Sequence, residues 1–209
     1  LINDYASKYV ELRSRVKFSD NDIENDPRFK NLGFSVDRLK QVIRENTIPV
    51  RTSLEPYRDI YRSDLGELLL TLYFDSAYPN WGENFIIPLK NLWDRELNDQ
   101  PGRGIDLTGY RDIESDKIEI LLGEAKVSAQ EKNPPNVVDV NDDSIYKSQK
   151  KYVDDKSYLC RRLANHIKKL SPKHATPLSF VLVAMECGMD DFYEIVYGCC
   201  LIRDLECVD

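Results

Sequence analysis

The 209-residue sequence has few of the residues that build histidine and cysteine metal sites. It contains two histidines, His166 and His174, and five cysteines that form no CxxC pair. A structural zinc site needs such ligands clustered at short spacing. The composition therefore argues against the common zinc-binding modules, and we expect reduced thiols in a cytoplasmic protein.

Long hydrophobic runs are also missing. No apolar stretch reaches the roughly 20 residues that cross a bilayer, so we expect no membrane insertion. The chain starts at Leu1 without an initiator methionine, a basic start or a small-residue cleavage site. We therefore expect a piece of a longer protein without a secretory signal.

Acidic residues outnumber basic residues in this chain. Asp and Glu number 36 against 29 Lys and Arg, and the formal net charge is -7. A protein that holds nucleic acid through its overall field needs clustered basic residues to neutralise phosphates. Any contact with nucleic acid must therefore be local, or a partner must assist it.

We predict a helical lead-in over residues 1–63 and one core domain over residues 64–209. The clearest lead-in helix follows Ser35, an N-cap candidate, with apolar residues at helical spacing: Val36, Leu39, Val42 and Ile43. The core should open with a leucine-rich helix that is capped at Ser63-Asp64 and buried against a sheet. Glu67 is the charged exception in that helix.

Several segments have the composition of strands. Residues 85–87 suggest a short strand, followed by a loop or short helix over 89–97. Residues 105–111 and 117–127 predict an antiparallel hairpin, because the turn between them is short. Two further strands are predicted at 178–185, which is nearly all apolar, and at 194–202.

A long helix is predicted after the N-cap candidate Ser144. Its apolar stripe runs through Tyr152 and Leu163 to Leu170, and the rest of its surface is basic. Lysines such as Lys147, Lys150 and Lys151 form either a solvated face or a face that follows nucleic-acid phosphates. The other features of the chain favour the second interpretation slightly.

The hairpin carries the chemistry. Period-two alternation puts Asp106, Thr108 and Tyr110 on one face of the first strand, and Ile105 and Leu107 on the other. In the second strand, Glu124 and Lys126 are neighbours on one face, and the small residues Gly123 and Ala125 leave room for a helix behind the site. Charges on apolar strands are costly unless they have partners or a metal.

Phosphodiester hydrolysis provides a reason for this arrangement. Two carboxylates from adjacent strands can hold a divalent cation, which polarises a phosphoryl oxygen and lowers the pKa of bound water. Lys126 would then orient that water or stabilise the developing negative charge. We therefore expect a metal-dependent nuclease with Asp106, Glu124 and Lys126 at its centre.

These residues also resemble a known family. Gly104-Ile105-Asp106 followed by Gly123-Glu124-Ala125-Lys126 is similar to the PD-(D/E)XK nuclease superfamily, over roughly residues 64–202. The longer motif 102–110, with residues 122–126 after it, resembles HamA, the nuclease subunit of Hachiman anti-phage defence, to which Abp-type defence proteins are related. One departure is Ile105, which stands where the superfamily often has Pro.

The resemblance implies an α/β fold with a restriction-endonuclease-like core, in which helices flank a central mixed sheet. It further implies that Asp106 and Glu124 bind Mg²⁺, or Mn²⁺ in its place, with the Ala125 carbonyl, and that Glu67 adds an acid. DNA would be the substrate and a helicase subunit the partner. Gln149 is a weaker site candidate, because some members have Gln-x-x-x-Tyr where this chain has Gln149-Lys150-Lys151-Tyr152.

Two other interpretations stay open. The three charges could form surface ion pairs on a hairpin, since an acid-x-Lys triplet also occurs at Asp154-Asp155-Lys156, within a polar helix. The chain could also be a catalytically inactive nuclease-fold subunit that binds and regulates a helicase. The apolar context of the hairpin strands favours the catalytic interpretation.

Overall fold

The computed structural model describes residues 2–33, 35–48, 56–78, 84–90, 92, 104–114, 116–141 and 144–203. The helices are α1 (Ile2–Arg13), α2 (Asp20–Asn25), α3 (Pro27–Leu32), α4 (Val36–Thr47), α5 (Pro56–Phe74), α6 (Ile145–Asp154), α7 (Lys156–Ile167) and α8 (Pro172–Glu186). The strands are β1 (Ile86–Lys90), β2 (Leu107–Glu114), β3 (Lys117–Ser128) and β4 (Tyr193–Arg203).

The four strands form one mixed sheet in the order β1-β2-β3-β4. β2 pairs antiparallel with both β1 and β3, which confirms the predicted hairpin, and β4 runs parallel to β3. Strand β1 confirms the short strand at 85–87, although it continues to Lys90. Of the loop or short helix predicted over 89–97, only residues 89, 90 and 92 are described, and the rest lies outside the described residues.

Helices cover both faces of this sheet. On one face, Ile120 and Leu122 of β3 pack with Leu159 and Leu163 of α7 and with Val181 of α8. On the other face, a second cluster joins α5 to the sheet through Leu70, Phe85, Ile87, Leu107 and Leu121. Burial of both faces explains why β3 is apolar over most of its length. The α/β fold with a mixed sheet between helices is thus confirmed.

The strand predicted at 178–185 is wrong, because this segment lies in helix α8. Its fully or nearly buried side chains are Leu178, Val181, Ala184 and Met185, which recur at helical spacing. A short apolar run does not distinguish a buried strand from a buried helix. Within the described residues, the sheet consequently contains only β4 from the part of the chain after residue 177, where two strands were expected.

The single long helix predicted after Ser144 is two helices. Ser144 does cap α6, with its hydroxyl accepting from the Lys147 N–H at 3.3 Å. The helix is then interrupted at Asp155, whose carboxylate accepts a hydrogen bond from the Tyr158 N–H at 2.8 Å and caps α7. Because the Asp155 side chain accepts a hydrogen bond from the backbone as an N-cap residue, α6 ends here and α7 begins at the next residue.

Helix α5 begins at Pro56, so its predicted start at Ser63-Asp64 is also wrong. Proline is well tolerated in a first helical turn, where the backbone N–H has no acceptor within the helix. The expected burial is confirmed, since Leu68, Leu70 and Leu72 are buried.

The lead-in is helical as expected. Ser35 caps α4, its hydroxyl accepting from the Arg38 N–H at 3.2 Å. By contacts between residues, the described residues form two compact units, one up to Ile60 and one that begins at Tyr61. No helix in the described ranges is long and apolar enough to cross a membrane.

Candidate active site on the central strand pair

Asp106 and Glu124 lie side by side where β2 begins. Leu107 pairs with Gly123 in the antiparallel ladder. The ladder extends one residue further, because the Asp106 N–H donates to the Gly123 carbonyl at 3.1 Å. The backbone therefore brings both predicted carboxylates to the same end of the strand pair.

The predicted alternation holds from Leu107 onwards but not at Ile105. Leu107 packs in the cluster on the α5 face, and Tyr110 packs in the cluster on the opposite face. The prediction that Ile105 shares the face of Leu107 is wrong, since Ile105 belongs to the cluster of Tyr110. Gly104 has a φ of 100° and turns the chain just before the strand, so strand periodicity does not reach Ile105.

The carboxylate of Asp106 is held by the backbone of β3. Its Oδ2 accepts a hydrogen bond from the Ala125 N–H at 2.7 Å. A charge-assisted hydrogen bond of this length fixes the orientation of the side chain. Because Ala125 follows Glu124 directly, this contact directs the Asp106 carboxylate to the part of β3 that carries the second acid.

Glu124 and Lys126 form an ion pair that is not a surface pair. Lys126 Nζ lies 2.8 Å from Glu124 Oε1. The Lys126 side chain is 29% exposed and the Glu124 side chain 8%. A carboxylate buried to this degree is costly unless a cation compensates its charge. The interpretation of these charges as surface ion pairs therefore does not hold for Glu124.

Helix α5 packs directly behind the site, as the small residues of β3 suggested. A Cβ on Gly66 would lie 3.1 Å from the Cβ of Ala125, and one on Gly123 would lie 3.0 Å from Leu70. Glu67 follows Gly66 and is 3% exposed, so it does not occupy the wet edge of an amphipathic helix. Its Oε1 accepts a hydrogen bond from the Ser63 hydroxyl at 3.4 Å.

Helices α6 and α7 add an aromatic and cationic group that the sequence did not reveal. Tyr152 stacks on Tyr158 with ring centroids 5.6 Å apart, and Arg162 lies 5.8 Å from the centroid of Tyr158. Burial raises the pKa of the Tyr152 phenol, the neighbouring Tyr158 and the charge of Glu124 add to that rise, and the positive charge of Arg162 opposes it. The charges of Glu124 and Arg162 thus act on Tyr152 in opposite directions.

The four weaker site candidates lie on α6 in different environments. Gln149 is buried, and its Nε2 donates to the Leu122 carbonyl at 3.3 Å and to the Gly198 carbonyl at 3.5 Å. Lys147, Lys150 and Lys151 are exposed. Lys147 donates to the Asn141 carbonyl and Lys150 pairs with Asp154, as exposed lysines commonly do.

A comparison with protein families gives a match to the HamA family model over residues 4–207. The chain belongs to the HamA family. The match extends the resemblance, which the motifs supported over roughly residues 64–202, to the helical lead-in. HamA proteins are nuclease-like components of Hachiman anti-phage defence. Searches of the curated proteins and of the solved structures find no match.

The donor chemistry of this HamA site suits a hard divalent cation. Asp106 and Glu124 supply carboxylate oxygens from neighbouring backbone segments, and Ala125, the residue after Glu124, adds a backbone carbonyl. Oxygen donors of this kind are the ligands that Mg²⁺ prefers. Within the described residues, no group of three or more His, Cys, Asp or Glu side chains could hold a metal ion, so the fit rests on two acids and a carbonyl.

Proposed function

We propose that this HamA chain is a Mg²⁺-dependent deoxyribonuclease that acts in anti-phage defence. The observation that carries the proposal is buried Glu124 paired with half-buried Lys126 on β3, beside an Asp106 carboxylate held by the Ala125 N–H. Neither a plain surface hairpin nor an apolar core requires two acids and a lysine at the meeting point of two strands.

Each residue has a defined role in this proposal. Asp106, Glu124 and the Ala125 carbonyl would hold Mg²⁺, with Mn²⁺ as a substitute. When bound, such a cation would polarise a phosphoryl oxygen and lower the pKa of a bound water. Lys126, held next to Glu124, would orient the attacking water or stabilise negative charge on the phosphate. Buried Glu67 on α5 is proposed as an additional acid.

The proposed substrate is DNA, delivered by a helicase subunit. With a net charge of -7, the chain has no overall field that would attract a polyanion. Its exposed lysines on α6 provide only a local attraction, and two of them are engaged with Asp154 and with the Asn141 carbonyl. A partner that brings the DNA would supply the missing affinity.

Plasmid cleavage tests the activity. Purified chain, alone and with the co-expressed helicase, is incubated with supercoiled plasmid and Mg²⁺, Mn²⁺ or EDTA. We expect nicked or linear product only with a cation, and none from Glu124→Gln or Lys126→Met. The matched control is Asp154→Asn, which neutralises the acid of the exposed Asp154-Asp155-Lys156 triplet and should cut like wild type. Activity in EDTA, or undiminished activity in Glu124→Gln, refutes the proposal.

Phage protection in cells distinguishes a nuclease from an inactive subunit that regulates a helicase. The complete defence system is expressed with either wild-type chain or the Asp106→Ala, Glu124→Ala double variant, and the efficiency of phage plating is measured. The nuclease proposal predicts loss of protection at unchanged protein level. Full protection by the double variant would favour the regulatory subunit instead.

A further inference from the structure

Arg162 occupies an unusual position, against the backbone that leads into Asp106. If Gly104 had a Cβ, that atom would lie 1.5 Å from Nη2 of Arg162 and 2.5 Å from its Cζ. The guanidinium therefore fits where only glycine leaves room for it. Because Gly104 is two residues before Asp106, this places a cation beside the loop that presents the first carboxylate.

The neighbours of Arg162 constrain its side chain. Its Cζ lies 5.8 Å from the centroid of Tyr158, within the range of a cation–π interaction. Tyr158 in turn stacks on Tyr152. Tyr158, which is itself stacked on Tyr152, and Gly104 thus position the guanidinium, so less side-chain entropy remains to be lost when it binds a ligand.

The charges of the site suggest that Arg162 contributes to phosphate binding. Lys126 is engaged with Glu124 at 2.8 Å, and the two carboxylates repel an approaching phosphate. A planar guanidinium offers parallel N–H donors that match two oxygens of a phosphate group, which an ammonium does not. Arg162 brings such a guanidinium against Gly104, two residues before Asp106 in the chain.

We propose that Arg162 binds a phosphate of the nucleic-acid backbone at the Asp106–Glu124 site, in a cradle formed by Gly104 and by Tyr158, which stacks on Tyr152. This inference rests on the proposed nuclease function and adds a substrate-binding residue to it. The neighbouring Arg161 provides contrast, since it is exposed and lies 3.7 Å from the Asp155 carboxylate, on the outer side of α7.

Binding without cleavage tests this role. The full chain carrying Glu124→Gln is titrated into a fluorescently labelled DNA oligonucleotide, and the dissociation constant is measured by anisotropy at several salt concentrations. We expect Arg162→Ala to weaken binding at least about tenfold. It should also reduce the slope of log K against log salt by about 0.7 to 0.9, the effect of losing one phosphate contact.

Two further variants keep the test decisive. Arg162→Lys retains the charge without the planar fork, so it should keep the wild-type salt slope with weaker binding, and it serves if Arg162→Ala does not fold. Arg161→Ala should bind like the parent protein. Equal affinity in the Arg161 and Arg162 variants overturns the inference, and so does a loss of affinity in Arg162→Ala with an unchanged salt slope, since that indicates a positioning role.

The two proposals can fail separately. A wild-type chain that binds DNA through Arg162 but never cuts it, with or without the helicase, refutes the nuclease activity and leaves the phosphate contact in place. A wild-type chain that cuts DNA while Arg162→Ala cuts it at unchanged KM and kcat overturns the phosphate contact alone.

Discussion

The Ala125 N–H donates a hydrogen bond to Oδ2 of Asp106 across 2.7 Å. Through this contact, the strand that carries Glu124 also orients the other acid of the site. Two carboxylates held close together without a cation repel each other, and an N–H donor offsets part of that cost. The position of the Asp106 carboxylate thus depends directly on the backbone of β3.

This relationship predicts different outcomes for two substitutions of Asp106. Asp106→Ala removes the acceptor for the Ala125 N–H, which should lower the free energy of unfolding by about 1–3 kcal/mol. Asp106→Asn keeps an acceptor oxygen and removes a charge beside Glu124, so its stability should stay close to wild type. Both should lose cleavage by about a hundredfold or more, as expected for a metal ligand.

Urea unfolding in EDTA measures the first effect, and the plasmid assay measures the second. If Asp106→Asn is destabilised as much as Asp106→Ala, the carboxamide does not replace the carboxylate as acceptor. If Asp106→Asn cuts at the wild-type rate, Asp106 is not a metal ligand.

A second prediction concerns Gly104, whose φ of 100° disfavours any side chain. Gly104→Ala should cost about 1–3 kcal/mol of backbone strain, and more because the new Cβ meets the Arg162 guanidinium. Gly188→Ala is the matched control, because its φ is 69° and a Cβ there meets nothing within 4 Å. Thermal or urea unfolding should show the larger loss at Gly104.

The contribution of Arg162 to that loss can be isolated. In an Arg162→Ala background, Gly104→Ala should cost less than in wild type, because only the backbone strain remains. The cost of Gly188→Ala should be the same in both backgrounds. An equal cost of Gly104→Ala with and without the Arg162 side chain would contradict the contact.

A third prediction concerns cysteine reactivity. Burial, together with Glu186, raises the pKa of the Cys160 thiol to about 11 from 9.0. At pH 8 about one Cys160 thiol in a thousand is then ionised, against about one in ten at the unshifted value. Iodoacetamide labelling and peptide mapping of the folded protein should find exposed Cys187 modified and Cys160 protected.

Because the pKa of Cys160 is raised, its labelling should increase with pH. Labelling of Cys160 should stay low at pH 8 and rise as the pH approaches 11, and unfolding in urea should abolish the protection. Equal labelling rates for Cys160 and Cys187 in the native protein at pH 8 would contradict the burial of Cys160.

Cys207 lies outside the described residues, as do Gly102 and Arg103 of the family motif.

The hairpin and its charges were predictable because strand periodicity is local. Apolar alternation over β2 and β3 indicated which side chains meet, and the small residues Gly123 and Ala125 indicated close packing of a helix. Side-chain capping signals were equally local, so Ser35 and Ser144 could be assigned as N-caps. Period-two alternation failed at Ile105, where a single glycine conformation changes the direction of the chain.

The remaining features depend on contacts that are distant in sequence. The run from Leu178 to Met185 suits a strand or a helix equally well, and packing of α8 against β3 decides between them. Asp155 is the exception, because its cap on the Tyr158 N–H is a local contact that interrupts a helical pattern which appeared continuous. Arg162 was one basic residue among several, and its proximity to Gly104 becomes visible only once α7 is folded over the sheet.

The most direct test of the central claim is the position of a divalent cation. Crystals of the chain grown or soaked with Mn²⁺ should give an anomalous difference peak within about 2.0–2.5 Å of oxygens from Asp106 and Glu124, and Glu124→Gln crystals should lose it. If wild-type crystals give no peak there while the protein cuts DNA in Mn²⁺, the strand pair is not the metal site and the account is wrong.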